Sequence, residues 1–294
     1  MKFTYLAFVL SLLFSLNSFA ENWVYPKTDA EMEQRITNLN WINESGEYTL
    51  IKSEQNLKLN GDWSLLLGAD AQEFYLLVNG SYDSQQKVIA ALVSQVNDSL
   101  EQIFISHQKI GYVDDYDWGD IEKNELLEAI QEATEEDNKV RRELGLGTIN
   151  VLSWGTEPTY DSEGNRAFWS IVAREEGLDT DTINEIGLKL SKDGFTKFRY
   201  IYNARNKSKK NLLVKHMGNH QYENGFKYSD FDGSTAMASV GLASLVALNA
   251  GSKINKGVIA GLVATALVFA KKLWFLLFIP FIFFGRWLKE KIFR

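Results

Sequence analysis

Cysteine is absent from this chain of 294 residues, and histidine occurs only three times. Without a thiol there are no disulfides, no cysteine nucleophile and no thiolate metal site. Lipoprotein processing is excluded as well, since it modifies a cysteine. The glycine-rich nucleotide-binding motifs and the G-x-S-x-G serine motif are also missing. The sequence therefore predicts no cofactor and no catalytic residue.

Two of the histidines, His216 and His220, have the spacing of a zinc-binding helix. A zinc peptidase also needs a glutamate directly after the first histidine, and here Met217 and then Gly218 follow it. The pair therefore predicts no zinc site.

The N-terminus has the composition of a secretory signal peptide over residues 1–20. Lys2 is followed by an apolar run over about 5–14, and the segment ends in Ser-Phe-Ala, a cleavage pattern with small residues. A secreted eukaryotic chain of this size would usually carry disulfides. We therefore expect export into the envelope of a bacterium.

The C-terminal part, residues 234–294, is rich in apolar runs, including twelve consecutive apolar residues over 273–284. We expect it to form membrane-associated helices, although no single run reaches the ~20 residues of a full span. The tail is basic, with Arg286, Lys289, Lys291 and Arg294. The positive-inside rule then places the C-terminus in the cytoplasm and the exported domain, residues 21–233, in the periplasm of an inner-membrane protein.

Charge is divided unevenly along the chain. The formal total is −7, of which the signal segment contributes +1 and residues 235–294 contribute +7, so residues 21–234 carry −15. Such a surface repels nucleic acid and anionic headgroups. The expected partners are therefore the lipid bilayer, through the C-terminal part, and another envelope or membrane protein.

Periodicity predicts a long helix and a β-meander in the exported domain. Apolar residues recur every three to four positions over about 118–144, which is typical of an amphipathic helix. Four strand-like runs follow over about 149–203 and pair across the turns DSEGN and SKDGF. A helix capped by Thr28 and another over 69–80 are expected upstream. The predicted fold class is α+β, an antiparallel β-meander with a long helix, plus the C-terminal membrane-associated helices.

Four motifs in a fixed order resemble one known family. They are GYVDDYD at 111–117, ATEEDNKVRRELG at 133–145, SWGTEPTYD at 153–161 and FKYSDFDGSTAMASVGLASLVA at 226–247. Together they resemble the bacterial membrane-anchored proteins grouped as domain of unknown function 2167, over about residues 100 to 290. The resemblance implies an envelope protein with a C-terminal anchor, and it brings no established activity or catalytic residue.

The first of these motifs opens a run of four aspartates in seven positions. An EF-hand loop fails in either register, because the required acids, glycine and final glutamate do not coincide. The preferred interpretation is the start of the long helix, with Asp117 as its cap and Asp120 and Glu122 in its first turn. An irregular Ca²⁺ or Mg²⁺ site, shared with Asp230 and Asp232, is the alternative. Its candidate ligands are Asp114, Asp115, Asp117 and Asp120.

Two further sets of residues are candidates for binding. Polar side chains recur at helical spacing on the long helix. They could form a solvated face, a buried network that holds the helix to the meander, or a ligand pocket. Aromatic and acidic residues cluster on the first hairpin of the meander, either as cross-strand packing or as an interaction patch. The helix set is Thr134, Asn138, Arg141 and Arg142. The hairpin set is Trp154, Glu157, Tyr160, Asp161 and Trp169.

These observations favour an envelope protein anchored in the inner membrane, with a non-enzymatic interaction or scaffold role through its periplasmic domain and anchor. The alternative is a domain that binds a ligand or a divalent cation, or an enzyme, built on the acidic loop at 114–120.

Overall fold

The computed structural model describes residues 23–79, 87–96, 99–143, 147–205 and 212–250. The predicted signal peptide and the apolar runs beyond residue 250 lie outside the described residues. Helices and antiparallel sheets both occur in the described part, which confirms the α+β class.

Ten strands in the described residues form two sheets. They are β1 (Gly46–Ile51), β2 (Gln55–Leu59), β3 (Ser64–Leu67), β4 (Val88–Val96), β5 (Ser99–Lys109), β6 (Ile149–Asp161), β7 (Arg166–Glu175), β8 (Thr182–Ser191), β9 (Gly194–Asn203) and β10 (His220–Tyr222). The larger sheet has the order β3-β4-β5-β9-β8-β7-β6 and is antiparallel throughout. Strands β6 to β9 are consecutive neighbours, which confirms the predicted meander. The strand over 46–51 was expected from the sequence, but its pairing with β2 and β10 into a smaller sheet was not.

The helices of the described residues are α1 (Asp29–Thr37), α2 (Gly68–Asn79), α3 (Lys123–Glu143), α4 (Leu212–Asn219) and α5 (Leu242–Ala250). The Thr28 hydroxyl accepts the Glu31 N–H at 3.2 Å, which confirms the predicted cap of α1. Helix α3 is the predicted long helix, but it begins later than expected. Residues 118–120 form a separate 3₁₀ turn, and Ile121 is extended, so the helix cannot be continuous through them.

The larger sheet is covered on both sides. Its helical face, which carries Phe104, Trp169 and Ile186, packs under α2 at one end and under α3 and α5 at the other. Its small-sheet face, which carries Ile103 and Tyr200, packs against β2 and α4. Because side chains alternate along each strand, neighbouring residues of β5 and β9 belong to different cores.

Helix α5 belongs to the core of the domain. Leu242, Leu245 and Val246 are buried in the same cluster as residues of α3 and β7. Residues 234–294 were expected to form membrane-associated helices, and the structure instead packs 242–250 into the core of the domain, beyond the expected boundary at 233. Among the described helices, none combines the length and the apolar character needed to cross a bilayer.

Candidate functional site

Two of the motifs that carry the family resemblance meet in space. Residues 111–117, which follow β5, run beside residues 236–244, which lead into α5, and we call this pair of segments the joint. The Tyr112 N–H donates to the Ala236 carbonyl at 2.9 Å, and the Ala238 N–H donates to the Tyr112 carbonyl at 2.8 Å. The joint therefore ties the start of the C-terminal region to the end of a central strand.

Asp117 fastens α5 to the joint. One carboxylate oxygen accepts the Ala243 N–H at 2.9 Å, and the other accepts the Ser244 N–H at 3.2 Å and the Ser244 hydroxyl at 3.1 Å. The side chain is only 8% exposed. A helix begins with backbone N–H groups that lack partners within the helix, and its dipole favours a negative charge there. Asp117 therefore caps α5 from a distant part of the sequence.

The prediction that Asp117 caps the long helix is consequently wrong. Helix α3 begins at Lys123, after the extended residue Ile121, and its first intrahelical bond runs from the Leu126 N–H to the Glu122 carbonyl. The aspartate lies too early in the chain to reach that end. The sequence predicted helices after residue 233, but as membrane-associated helices, so a cap from Asp117 was not expected there.

Two glycines allow the joint to close. Gly111 has a φ of +97°, and a Cβ atom there would collide with the backbone of Ala236 and its neighbours. At Gly241 a Cβ atom would collide with the Asp117 carboxylate. Both positions therefore require glycine, the first for its conformation and its close approach, the second for its close approach alone.

Asp114 supports the same joint through its backbone. Its carbonyl accepts the Leu242 N–H at 2.9 Å, and its side chain accepts the Tyr116 N–H at 2.9 Å within its own turn. Its carboxylate is thus used to shape the loop.

Asp115 and Asp120 are both exposed. Asp115 lies beside the Tyr160 phenol, and burial together with this carboxylate raises the pKa of Tyr160. In the part of the chain that the structure describes, no three acidic or histidine side chains converge closely enough to hold a metal ion.

The two aspartates suggested as partners, Asp230 and Asp232, are bound within their own turns. Asp230 accepts the N–H groups of Gly225 and Lys227 at 2.7 and 3.0 Å. Asp232 accepts the N–H of Ser234 at 2.9 Å, and hydrogen bonds from this serine lower the pKa of Asp232 to about 2.

Aromatic rings hold the segment before α5 against the joint. The Tyr112 ring stacks on Phe231, with 3.9 Å between centroids, and on Tyr228, with 4.6 Å. The Tyr228 hydroxyl donates to the Val113 carbonyl at 2.8 Å. Stacked rings with a paired hydroxyl bury apolar area without leaving a polar group unsatisfied.

The hairpin residues do not form one surface patch. Trp169 is 1% exposed and packs in the core, so its assignment to a patch is wrong. The Trp154 indole donates to the Lys123 carbonyl at 3.2 Å, and Glu157 pairs with the Lys123 ammonium at 3.0 Å. Asp161 instead pairs with Arg166 at the hairpin turn. The hairpin therefore supports the beginning of α3.

The polar residues of α3 divide into buried and solvated groups. Asn138 accepts the Ile149 N–H and donates to the Ile149 carbonyl, both at 2.8 Å, as a neighbouring strand would do. Thr134 is buried and donates to the Ile130 carbonyl one turn earlier at 2.7 Å. Arg142 is exposed. The buried-network interpretation is thus correct for Asn138.

Arg141 extends this network. Its guanidinium donates to the Gly147 carbonyl at 2.6 Å and pairs with Glu175 at 2.8 Å. Burial lowers the pKa of Arg141 and raises the pKa of Glu175, while their ion pair opposes both shifts. Arg141 thereby attaches the helix to the segment before β6 and to the end of β7.

A buried polar network between the two sheets was not predicted from the sequence. The Gln55 side-chain oxygen lies 2.7 Å from His220 Nε2 and accepts the Thr196 hydroxyl at 3.0 Å. The Tyr222 hydroxyl donates to Thr196 at 2.7 Å, and His107 Nδ1 lies 3.1 Å from the same hydroxyl. These residues come from four strands, so no local sequence pattern could reveal them.

Known proteins provide three comparisons. A family model described as "Protein of unknown function (DUF2167)" matches residues 42–282. Among curated proteins, none matches the chain. The solution structure of cyanobacterial PsbP (CyanoP) from Synechocystis sp. PCC 6803 is similar at 9% identity, with a TM-score of 0.37, over 62% of this chain and 94% of that one.

A structural likeness at this level says nothing about what the chain binds or does. The family match spans well over half of the chain and includes the joint, α3 and the meander. The chain belongs to the DUF2167 family of proteins of unknown function.

Proposed function

We propose that the chain is an inner-membrane-anchored protein of the bacterial envelope, whose domain serves a non-enzymatic interaction or scaffold role. The observation that carries this proposal is the joint. Its acidic and aromatic side chains hold α5, the last described helix before the apolar C-terminal residues. The strongest polar site in the family motifs is therefore built to attach one segment to another.

The geometry of the acidic loop favours attachment over cation binding. Both oxygens of Asp117 are occupied by α5, and Asp114 is bound within its own turn. A divalent ion would need several of these oxygens at once. A rigid joint, in contrast, suits a domain that must keep a fixed relation to the segment that follows it.

The location is tested with single cysteines, since the natural chain has none. Lys58→Cys places a thiol on the exposed side of β2, and Lys289→Cys places one in the basic tail. We expect a membrane-impermeant maleimide to label the first variant in cells with a permeable outer membrane. The second should react only after the inner membrane is opened. The reverse pattern would contradict the proposed topology.

The interaction role is tested by cross-linking and pull-down from native membranes. The full chain is compared with Asp117→Ala, which loosens α5, and with Asp120→Ala as the matched control. We expect defined partners that the control retains. Loss of these partners in the Asp117→Ala variant would indicate that they bind at the joint. Failure of every form to capture a reproducible protein would remove the support for a scaffold role.

A further inference from the structure

Two cations lie side by side in the middle of the helical face. Lys197 and Arg199 are two positions apart on β9, so they share a face and their Cα atoms are about 7 Å apart. Their register neighbours are Ser106 on β5 for the lysine and Ile186 on β8 for the arginine. Two like charges on one partly buried surface repel each other and lose hydration.

No carboxylate on the adjoining strands neutralises this pair. The residues that share the face over 102–108 of β5, 182–190 of β8 and 195–203 of β9 include neither Asp nor Glu. The nearby acids point the other way, because Glu101 and Glu185 bind tyrosine hydroxyls on the small-sheet face. The sheet itself separates them from the two cations.

Arg199 is held in place by neutral groups. It donates to the Asn79 side-chain oxygen at 3.3 Å, and its guanidinium lies 5.3 Å from the Tyr75 ring centroid and 5.7 Å from that of Phe104. Lys197 makes no hydrogen bond or ion pair with any of the described residues. Neighbouring groups therefore fix the position of Arg199, whereas none of the described residues forms an ion pair with Lys197.

Polar groups without partners lie on the same face beside Arg199. Asn184 is two positions along β8 from Ile186, and Gln102 is two positions along β5 from Phe104, the two residues in register with Arg199. Asn184, 1% exposed, has neither side-chain atom hydrogen-bonded in the described part of the chain. The Gln102 side-chain oxygen and Arg199 Nε are likewise buried and unpaired there. Buried polar groups almost always have partners, and each one left alone costs about 1 to 3 kcal/mol. Such a concentration at one place indicates a missing polar occupant.

We propose that this polar centre, formed by Lys197, Arg199 and Asn184, binds a phosphate group. The two cations supply the charge, and the Asn184 amide and Arg199 Nε supply N–H donors. The proposal is independent of the scaffold role. Burial and the neighbouring Arg199 lower the pKa of Lys197 to about 7, so binding of an anion should also draw a proton onto this lysine.

The experiment measures the thermal stability of the full chain in an uncharged detergent at pH 7. Inorganic phosphate is titrated in one arm and a short-chain phosphatidylglycerol in the other, each against sodium chloride of equal ionic strength. A ligand at about one hundred times its Kd should raise Tm by about 5 to 10 °C. A shift with phosphate indicates a free anion, and a shift with the lipid alone indicates a headgroup.

Lys197→Met is the test variant and Lys58→Met, on the exposed side of β2, is its control. Without phosphate the test variant should be at least as stable as the natural chain, since it loses an unpaired buried charge. It should also lose the response to both probes, whereas the control keeps it. The proposal is overturned if neither probe stabilises the natural chain, or if Lys197→Met responds as strongly.

Discussion

At the scale of single residues, two buried side chains complete the backbone hydrogen bonding of distant elements. Asp117 accepts from the first N–H groups of α5, 126 residues away in the case of Ala243. Asn138 of α3 pairs with both backbone groups of Ile149 on β6. Each would leave two backbone groups unpaired if it were shortened, and unpaired groups cost more than the bonds themselves contribute.

Asp117→Ala should lower the free energy of unfolding by about 2 kcal/mol, because the cap of α5 and its favourable charge are both lost. Asp117→Asn retains one acceptor oxygen and should lose less. Hydrogen exchange, read by mass spectrometry, should show faster exchange over 242–250 in the alanine variant. Asp120→Ala is the control. Equal exchange over 242–250 in both alanine variants would contradict the assigned cap.

Asn138→Ala should destabilise the fold by about 2 to 4 kcal/mol, since the Ile149 N–H and carbonyl would both stay buried without partners. Arg142→Ala, on the exposed side of the same helix, should change stability by less than about 0.5 kcal/mol. Urea unfolding of the three proteins gives the comparison. A small effect of Asn138→Ala would show that water replaces the amide.

At the scale of elements, two buried histidines lie in the layer that covers the small-sheet face of the larger sheet, His216 on α4 and His220 on β10. Burial lowers the pKa of His216 to about 4 and the pKa of His220 well below its ordinary value. His216 also contacts the Trp63 ring, with 4.5 Å between ring centroids. A proton on either ring would place a charge in this buried layer.

Stability should therefore fall as the solution becomes acidic. An unfolded histidine binds a proton near pH 6.5, whereas folded His216 does so only near pH 4, so below about pH 6.5 protons favour the unfolded chain. Proton binding to His216 alone should lower the free energy of unfolding by about 2 kcal/mol between pH 7.5 and pH 5. Urea midpoints at these two pH values measure it. His216→Phe should show a smaller loss, and an unchanged loss would contradict the assignment.

Short-range sequence patterns predict some of the helices and strands and do not predict others. The long helix and the meander are predictable because helical periodicity and the DSEGN and SKDGF turns lie within short stretches of sequence. The short strands β2 and β10 carry no comparable pattern, and β10 forms by pairing with β2, for example through Gln221 and Asn56, which are 165 residues apart (221 − 56). The contact between the two segments of the joint could not be predicted for the same reason, although both of their motifs are visible in the sequence.

At the scale of the whole molecule, α5 decides where the domain ends. A fragment ending at residue 250 should fold, whereas one ending at 233 should not, because it lacks Leu242, Leu245 and Val246 of the core. Each buried leucine or valine contributes about 1.5 to 3 kcal/mol, so their combined loss approaches the total stability of an ordinary domain. Circular dichroism and thermal melting of the two fragments test this. Equal cooperative unfolding would contradict the assigned boundary.

The placement of α5 also determines when folding can finish. A chain is synthesised from its N-terminus at about 5 to 20 residues per second, so the strands are available well before residues 242–250. The core under α3 stays open during that interval, since its last apolar side chains have yet to arrive. Completion of the domain therefore waits until the chain has been made to residue 250. The last step of folding is thus tied to the last part of the described chain to be synthesised, and a ribosome paused before residue 242 would carry an incomplete core.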